Sequence, residues 1–212
     1  ALADNPTAAA ADAKVQEVAT NSAGGKGAVA SLQASLAQDP ATAAAAVQAQ
    51  KAAGSGSLSR INANLDGDIT TAGSGIALHA AASQVPEGRA ALGELYADDA
   101  ANGGELSKSW ATASRTGKGS GALGELFTNL AKDPKASAAA LQVQTVGKGT
   151  GELQKNLASS AQGSAGHVAM MASASDTSEG LSAVTGFNNK MAKGGESATD
   201  SVKVHAMATT TA

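Results

Sequence analysis

Cysteine is missing from this chain of 212 residues, so it has no disulfide framework, thiolate zinc site or thiol nucleophile. Aromatic residues make up only 2% of it, one Trp, one Tyr and two Phe, too few and too scattered for a platform on which bases or sugars could stack. Trp110, Tyr96, Phe127 and Phe187 are expected to anchor a core instead. No block of one charge occurs among 15 basic and 18 acidic residues, and the net charge is -3, so the electrostatic footprint of a nucleic-acid or anionic-membrane binder is missing. No apolar run approaches the roughly 20 residues that a membrane-spanning helix needs.

What the chain does hold is small. Alanine is about a quarter of it and glycine 25 residues, whereas Leu, Ile, Val and Phe together reach about 15%. Burying a methyl group removes far less apolar area than burying a leucine, at about 25 cal/mol per Å², so short segments of this composition are weak alone and need neighbours.

One motif is used twice. Leu36-Ala37-Gln38-Asp39-Pro40 followed by the Ala-rich run to Gln48 returns as Leu130-Ala131-Lys132-Asp133-Pro134 followed by a similar run to Gln142. The offset between Pro40 and Pro134 is 94 residues, close to three periods of about 31, and a third copy begins at Asp4-Asn5-Pro6. Ala91-Leu92-Gly93-Glu94-Leu95-Tyr96 repeats 31 residues later as Ala122-Leu123-Gly124-Glu125-Leu126-Phe127.

Each unit opens with apolar residues at steps of three and four, the spacing of one helix face: Val29, Leu32, Leu36; Leu58, Ile61, Leu65; Leu123, Leu126, Leu130; Val184, Phe187, Met191. A turn follows, in which Asp caps exposed amides and Pro suits the first helical position. A second, Ala-rich helix is anchored once, at Val47, Ile76, Trp110, Leu141, Val168 and Val202, and a Gly pair such as Gly25-Lys26-Gly27 or Gly117-Lys118-Gly119 breaks the chain before the next unit. The expected fold is therefore all-α, a solenoid of about six degenerate two-helix repeats of about 31 residues in one domain. Its units are 1–24 (partial), 25–53, 54–86, 87–116, 117–146, 147–175 and 176–212.

The pattern Leu-x-x-Leu-x-x-x-Leu-Ala-x-Asp-Pro, then an Ala-rich helix and a Gly turn, resembles the short HEAT-like repeats of the phycobilisome-lyase type. That resemblance implies a right-handed α-solenoid used for scaffolding or partner binding; no residue set for chromophore handling carries over.

The sharpest local motif is Asn62-Ala63-Asn64-Leu65-Asp66-Gly67-Asp68-Ile69-Thr70, which resembles the start of an EF-hand or dockerin calcium loop. Oxygen-bearing side chains at alternating positions (Asn62, Asn64, Asp66, Asp68), Gly at the sixth and Ile at the eighth fit it. Asn at the first position and Gly73 at the twelfth each remove a negative charge that the ion needs, so the segment reads as a turn between helices, with a weak calcium site as the alternative. No other cofactor is expected.

The remaining candidates read as structure. His79 and His205 fall in the same repeat slot far apart and share no ligand, whereas His167 and His205 fall in adjacent units and allow a loose pair. No Gly-x-Ser-x-Gly elbow occurs, and Gly147-Lys148-Gly149-Thr150 lacks both the preceding strand and the Gly-Lys-Ser/Thr ending of a phosphate loop. Glu94, Asp98 and Asp99 are expected on a solvated helix end, so no acid and base are tuned apart. The chain is not expected to be an enzyme. Ice binding would need Thr in one slot, and Thr42, Thr70, Thr128 and Thr145 do not share one.

The function expected from these readings is that of a secreted structural subunit joining head to tail with its own copies into a filament, at the cell surface or outside the cell. The beginning at Ala1, without Met or a hydrophobic signal region, suits a processed secreted chain. The alternative is a soluble helical scaffold that binds a partner protein.

Overall fold

A computed structural model describes residues 5–54, 60, 61, 64, 65 and 67–210. Among these residues the chain forms twelve helices and no strand. They are α1 (Pro6–Ala19), α2 (Ala23–Leu36), α3 (Pro40–Ala53), α4 (Ile69–Ala82), α5 (Pro86–Ala101), α6 (Leu106–Ala113), α7 (Gly117–Leu130), α8 (Pro134–Val146), α9 (Thr150–Leu157), α10 (Ala161–Ala174), α11 (Ser178–Ala192) and α12 (Gly195–Thr210). Residues 60, 61, 64 and 65 are helical as well.

Neighbouring helices form rows. One runs α1, α3, α5, α8, α11; a second runs α2, α4, α7, α10, α12; and α6 packs against α4 and α9, with α9 in turn against α12. The four prolines of the chain each open a helix of the first row, α1, α3, α5 and α8, where a missing N–H costs nothing. The second row begins at residues 23, 69, 117 and 161, steps of 46, 48 and 44 residues. From α4 to α11 side-by-side packing recurs with every third helix (α4, α7, α10 and α5, α8, α11), whereas the 31-residue spacing predicts helices paired two by two. The similarity at 94 residues is close to two steps of this longer period. The two-helix reading found the alternation of helix and turn but not which helices lie together, because that is decided by corners between helices.

Those corners share one chemistry. Ser22, Thr116, Ser160 and Thr177 each accept the N–H of a glycine three residues on, at 3.0–3.1 Å, capping α2, α7, α10 and α11. At Gly25, Gly119 and Gly180 a Cβ would run into the backbone carbonyl of the alanine six residues earlier (Ala19, Ala113, Ala174), and Gly88 meets Ala82 in the same way. Glycine here lets the incoming helix close over the C-terminus of the previous one. Gly25-Lys26-Gly27 and Gly117-Lys118-Gly119, read from the sequence as breakers between helices, therefore lie inside the first turns of α2 and α7.

The main core cluster runs from α3 to α12, filled by Leu92, Leu123, Leu126, Leu130, Leu141, Leu153 and many alanines, and a smaller one gathers Val29, Ile61 and Leu65. Between α7 and α10 the backbones touch, since a Cβ on Gly124 or Gly166 would collide with backbone of the facing helix. The anchors Val47, Ile76, Trp110 and Leu141 are buried and Val168 is partly buried, but Val202 is 68% exposed. α12 turns Ser201 and Val204 inward instead, which rotates Val202 to the outside. Leu32 is likewise exposed, at 44%, because α2 buries Val29, Ala30 and Gln33. Leu58 lies outside the described residues.

Candidate functional site

All four aromatic residues and two of the three histidines stand in a single file through the core. His79 of α4 contacts Tyr96 of α5, Tyr96 contacts Trp110 of α6, Trp110 contacts Phe127 of α7, Phe127 contacts His167 of α10, and His167 contacts Phe187 of α11. Ring centroids are 5.3–5.8 Å apart, and the three contacts from Tyr96 to His167 are edge-to-face, the arrangement that aromatic quadrupoles favour. The residue numbers of these rings show no common spacing, so only the packing of helices distant in sequence brings them together.

Each histidine in the file has a polar partner. His79 Nδ1 lies 3.1 Å from the Tyr96 hydroxyl. His167 Nε2 lies 3.0 Å from Gln144 Oε1 and 3.2 Å from Gln154 Nε2, and all three residues are fully buried. Burial disfavours the imidazolium and pushes His79 down to about 4. Burial, reinforced by the nearby charge of His205, pushes His167 down to about 3. His205 itself sits on α12 with Nδ1 against Ser201 O at 2.9 Å. Each imidazole of the expected His167–His205 pair is hydrogen-bonded elsewhere.

Asp99 corrects an expectation. It is 3% exposed, not on a solvated end, because the chain turns back through Gly103 and Gly104, both with positive φ, and lays the start of α6 over it. Asp99 Oδ2 accepts from Leu106 N–H at 3.3 Å. Its burial raises its pKa to about 6, with Glu105 and Asp98 acting in the same direction. Glu94 is exposed and pairs with Lys51 across α3 and α5.

Of the calcium-loop positions, Asn62 and Asp66 lie outside the described residues. Asn64 donates from Nδ2 to Thr20 Oγ1 (2.9 Å) and Asn21 Oδ1 (3.2 Å), tying its helical turn to the end of α1. Asp68 Oδ1 accepts from Thr70 and Thr71 N–H at 2.8 and 3.0 Å and caps α4, within which Gly73 lies. Among the described residues no three His, Asp or Glu side chains gather as a metal site.

The Gly147–Thr150 segment has the opposite polarity to a phosphate cradle. Lys190 of α11 donates to Gln144 O (2.8 Å), Thr150 Oγ1 (3.1 Å) and Gly147 O, so the segment holds a cation at the C-terminus of α8. Partial burial lowers the pKa of that lysine.

A groove of about 750 Å³ lies between α2, α4 and α7. Ala30, Ala34, Gly73, Ala77 and Ala122 give it a smooth lining, and Lys26 and Lys118 stand on its two sides without an ion pair among the described residues. A smaller hollow of about 340 Å³ lies among α1, α2 and α3, lined by Leu32, Leu36 and Ile61. No helix among the described residues is long and apolar enough to cross a membrane. No family model, curated protein or solved structure matches the chain.

Proposed function

We propose that this chain is a structural protein, an α-solenoid that stacks head to tail with copies of itself. The observation that carries the reading is the placement of exposed apolar side chains. Val15 (67%) and Val18 (59%) lie on α1, the first helix of its row, and Leu181 (53%) and Val202 (68%) lie on α11 and α12, the last helices of theirs. Within the chain, the same rows continue by setting one Ala-rich face against the next, so the two end faces have the chemistry that the internal joints use. A contact between unlike ends that does not close on itself propagates. Kinship with short HEAT-like repeats, a location outside the cell or on its surface, and the lack of a catalytic role belong to the same proposal.

Sedimentation velocity over a wide concentration range, with negative-stain microscopy of the same samples, tests it. Regular growth that Val15→Glu with Val18→Glu abolishes supports the reading; a folded monomer at every concentration overturns it.

The groove supports a second reading, a scaffold that binds a partner protein. Its smooth wall of small residues admits a backbone closely, and Lys26 and Lys118 flank it. On this reading the chain is a stable monomer, and a bound partner protects Lys26 and Lys118 from acetylation.

A further inference from the structure

The one tryptophan and the one tyrosine of the chain are in direct ring contact, with centroids 5.3 Å apart, although fourteen residues separate them in sequence. Both are fully buried. The tyrosine hydroxyl meets a histidine nitrogen, and the tryptophan Nε1 has no hydrogen-bond partner among the described residues. We infer that Tyr96 is a site for a stable tyrosyl radical, filled by electron transfer to oxidised Trp110 with the phenolic proton passing to His79 Nδ1.

Each step balances. When Trp110 loses an electron to an outside one-electron oxidant, its radical cation would ordinarily shed the indole proton, but Nε1–H faces no acceptor among the described residues. The cation therefore keeps its full oxidising strength. It regains its electron from Tyr96, whose ring lies at its edge. A phenol that gives up an electron becomes a far stronger acid than imidazolium, so the O–H bond breaks and the proton passes to His79 Nδ1 within the hydrogen bond whose oxygen and nitrogen lie 3.1 Å apart. The products are neutral Trp110, the Tyr96 phenoxyl radical and protonated His79. The reaction needs His79 neutral with Nδ1 unprotonated, and burial keeps the ring neutral. Asp99, whose charge acts on the Tyr96 hydroxyl, favours the loss of negative charge from that ring. On the other side of Trp110 stands Phe127, which is harder to oxidise than indole, so of the two rings in contact with Trp110 it is Tyr96 that supplies the electron. Oxidising equivalents that reach this core thus come to rest on one phenol.

The inference does not depend on self-assembly, and its test is separate. Flash photolysis of the intact protein ionises Trp110 while a dissolved scavenger takes the ejected electron. The expected result is decay of the broad tryptophanyl absorption matched by growth of the narrow tyrosyl band, at a rate independent of protein concentration and slower in D2O. With one tyrosine in the chain, the band has a single source. Tyr96→Phe should abolish it and lengthen the life of the tryptophanyl radical; His79→Phe, which keeps the ring packing, should remove the tyrosyl growth or its D2O dependence. No tyrosyl band in the wild-type protein, growth proportional to protein concentration, or growth unchanged in His79→Phe overturns the inference. Should either variant unfold by circular dichroism, the concentration and D2O dependences of the wild-type protein decide alone.

Discussion

Asn156 reaches back forty-two residues to donate from Nδ2 to Ser114 Oγ at 2.9 Å, joining the end of α9 to the corner that follows α6. The same bond recurs between Asn129 and Ser83 at 3.2 Å and between Asn64 and Thr20 at 2.9 Å. In each case the asparagine precedes a leucine, and in each the hydroxyl residue follows the last alanine of a helix. These bonds lock corner to corner across the rows.

Asn156→Ala is therefore expected to destabilise the chain by about 0.5–1.5 kcal/mol, the net worth of a hydrogen bond, because Ser114 Oγ keeps its bond to Ala111 O. Ser114→Ala should cost about as much, and the double variant less than the sum of the two. Urea unfolding measures all three; strict additivity would mean that the two side chains act separately.

Glycines of two kinds should respond oppositely to alanine. Gly24 lies in the first turn of α2 with open space around it, so Gly24→Ala should stabilise by up to about 1 kcal/mol. Gly119→Ala forces a methyl into the carbonyl of Ala113 and should cost about 1–3 kcal/mol or more. Thermal unfolding of the pair reads the difference directly, and equal shifts would refute the role given to the corner glycines.

Acid should unfold the protein before ordinary carboxylates titrate. His79 and His167, held near 4 and 3, are neutral in the folded state, so the stability they contribute is fully present above about pH 6.5 and is lost as pH falls toward those values. Asp99, raised to about 6, acts in the opposite sense: the folded state holds its proton more tightly, so its share of stability falls as pH rises from about 4 to 6. Two protons against one leave a net loss on acidification of about 1.4 kcal/mol per pH unit between about pH 6 and 4. Asp99→Asn removes the opposing proton and should steepen that slope about twofold. A slope that Asp99→Asn leaves unchanged would show that this carboxyl titrates normally.

Asp68 distinguishes a cap from an ion ligand. As the cap of α4, its replacement by alanine should cost about 0.5–2 kcal/mol with or without calcium. If millimolar calcium raises the melting temperature of the wild-type protein and not that of Asp68→Ala, the segment from Asn62 to Asp68 binds the ion.

Several features followed from residue order alone. Alternating apolar steps and Asp-Pro corners placed nearly every helix, because capping, proline geometry and helical period are local effects that a few neighbouring residues decide. The same local pattern could not say which helix lies beside which. The rows depend on close approaches at Gly25, Gly88, Gly119 and Gly180 and on bonds such as Asn156 to Ser114, each between groups from different helices. Burial followed from that arrangement in turn: Asp99 is enclosed by the turn at Gly103 and Gly104, Val202 is left outside, and Tyr96 meets both Trp110 and His79. Composition by itself determined a helical chain of small residues that must stack to be stable. Which side chains would share the interior was decided by the tertiary structure, since proximity between distant residues is a property of the packed rows and not of any segment.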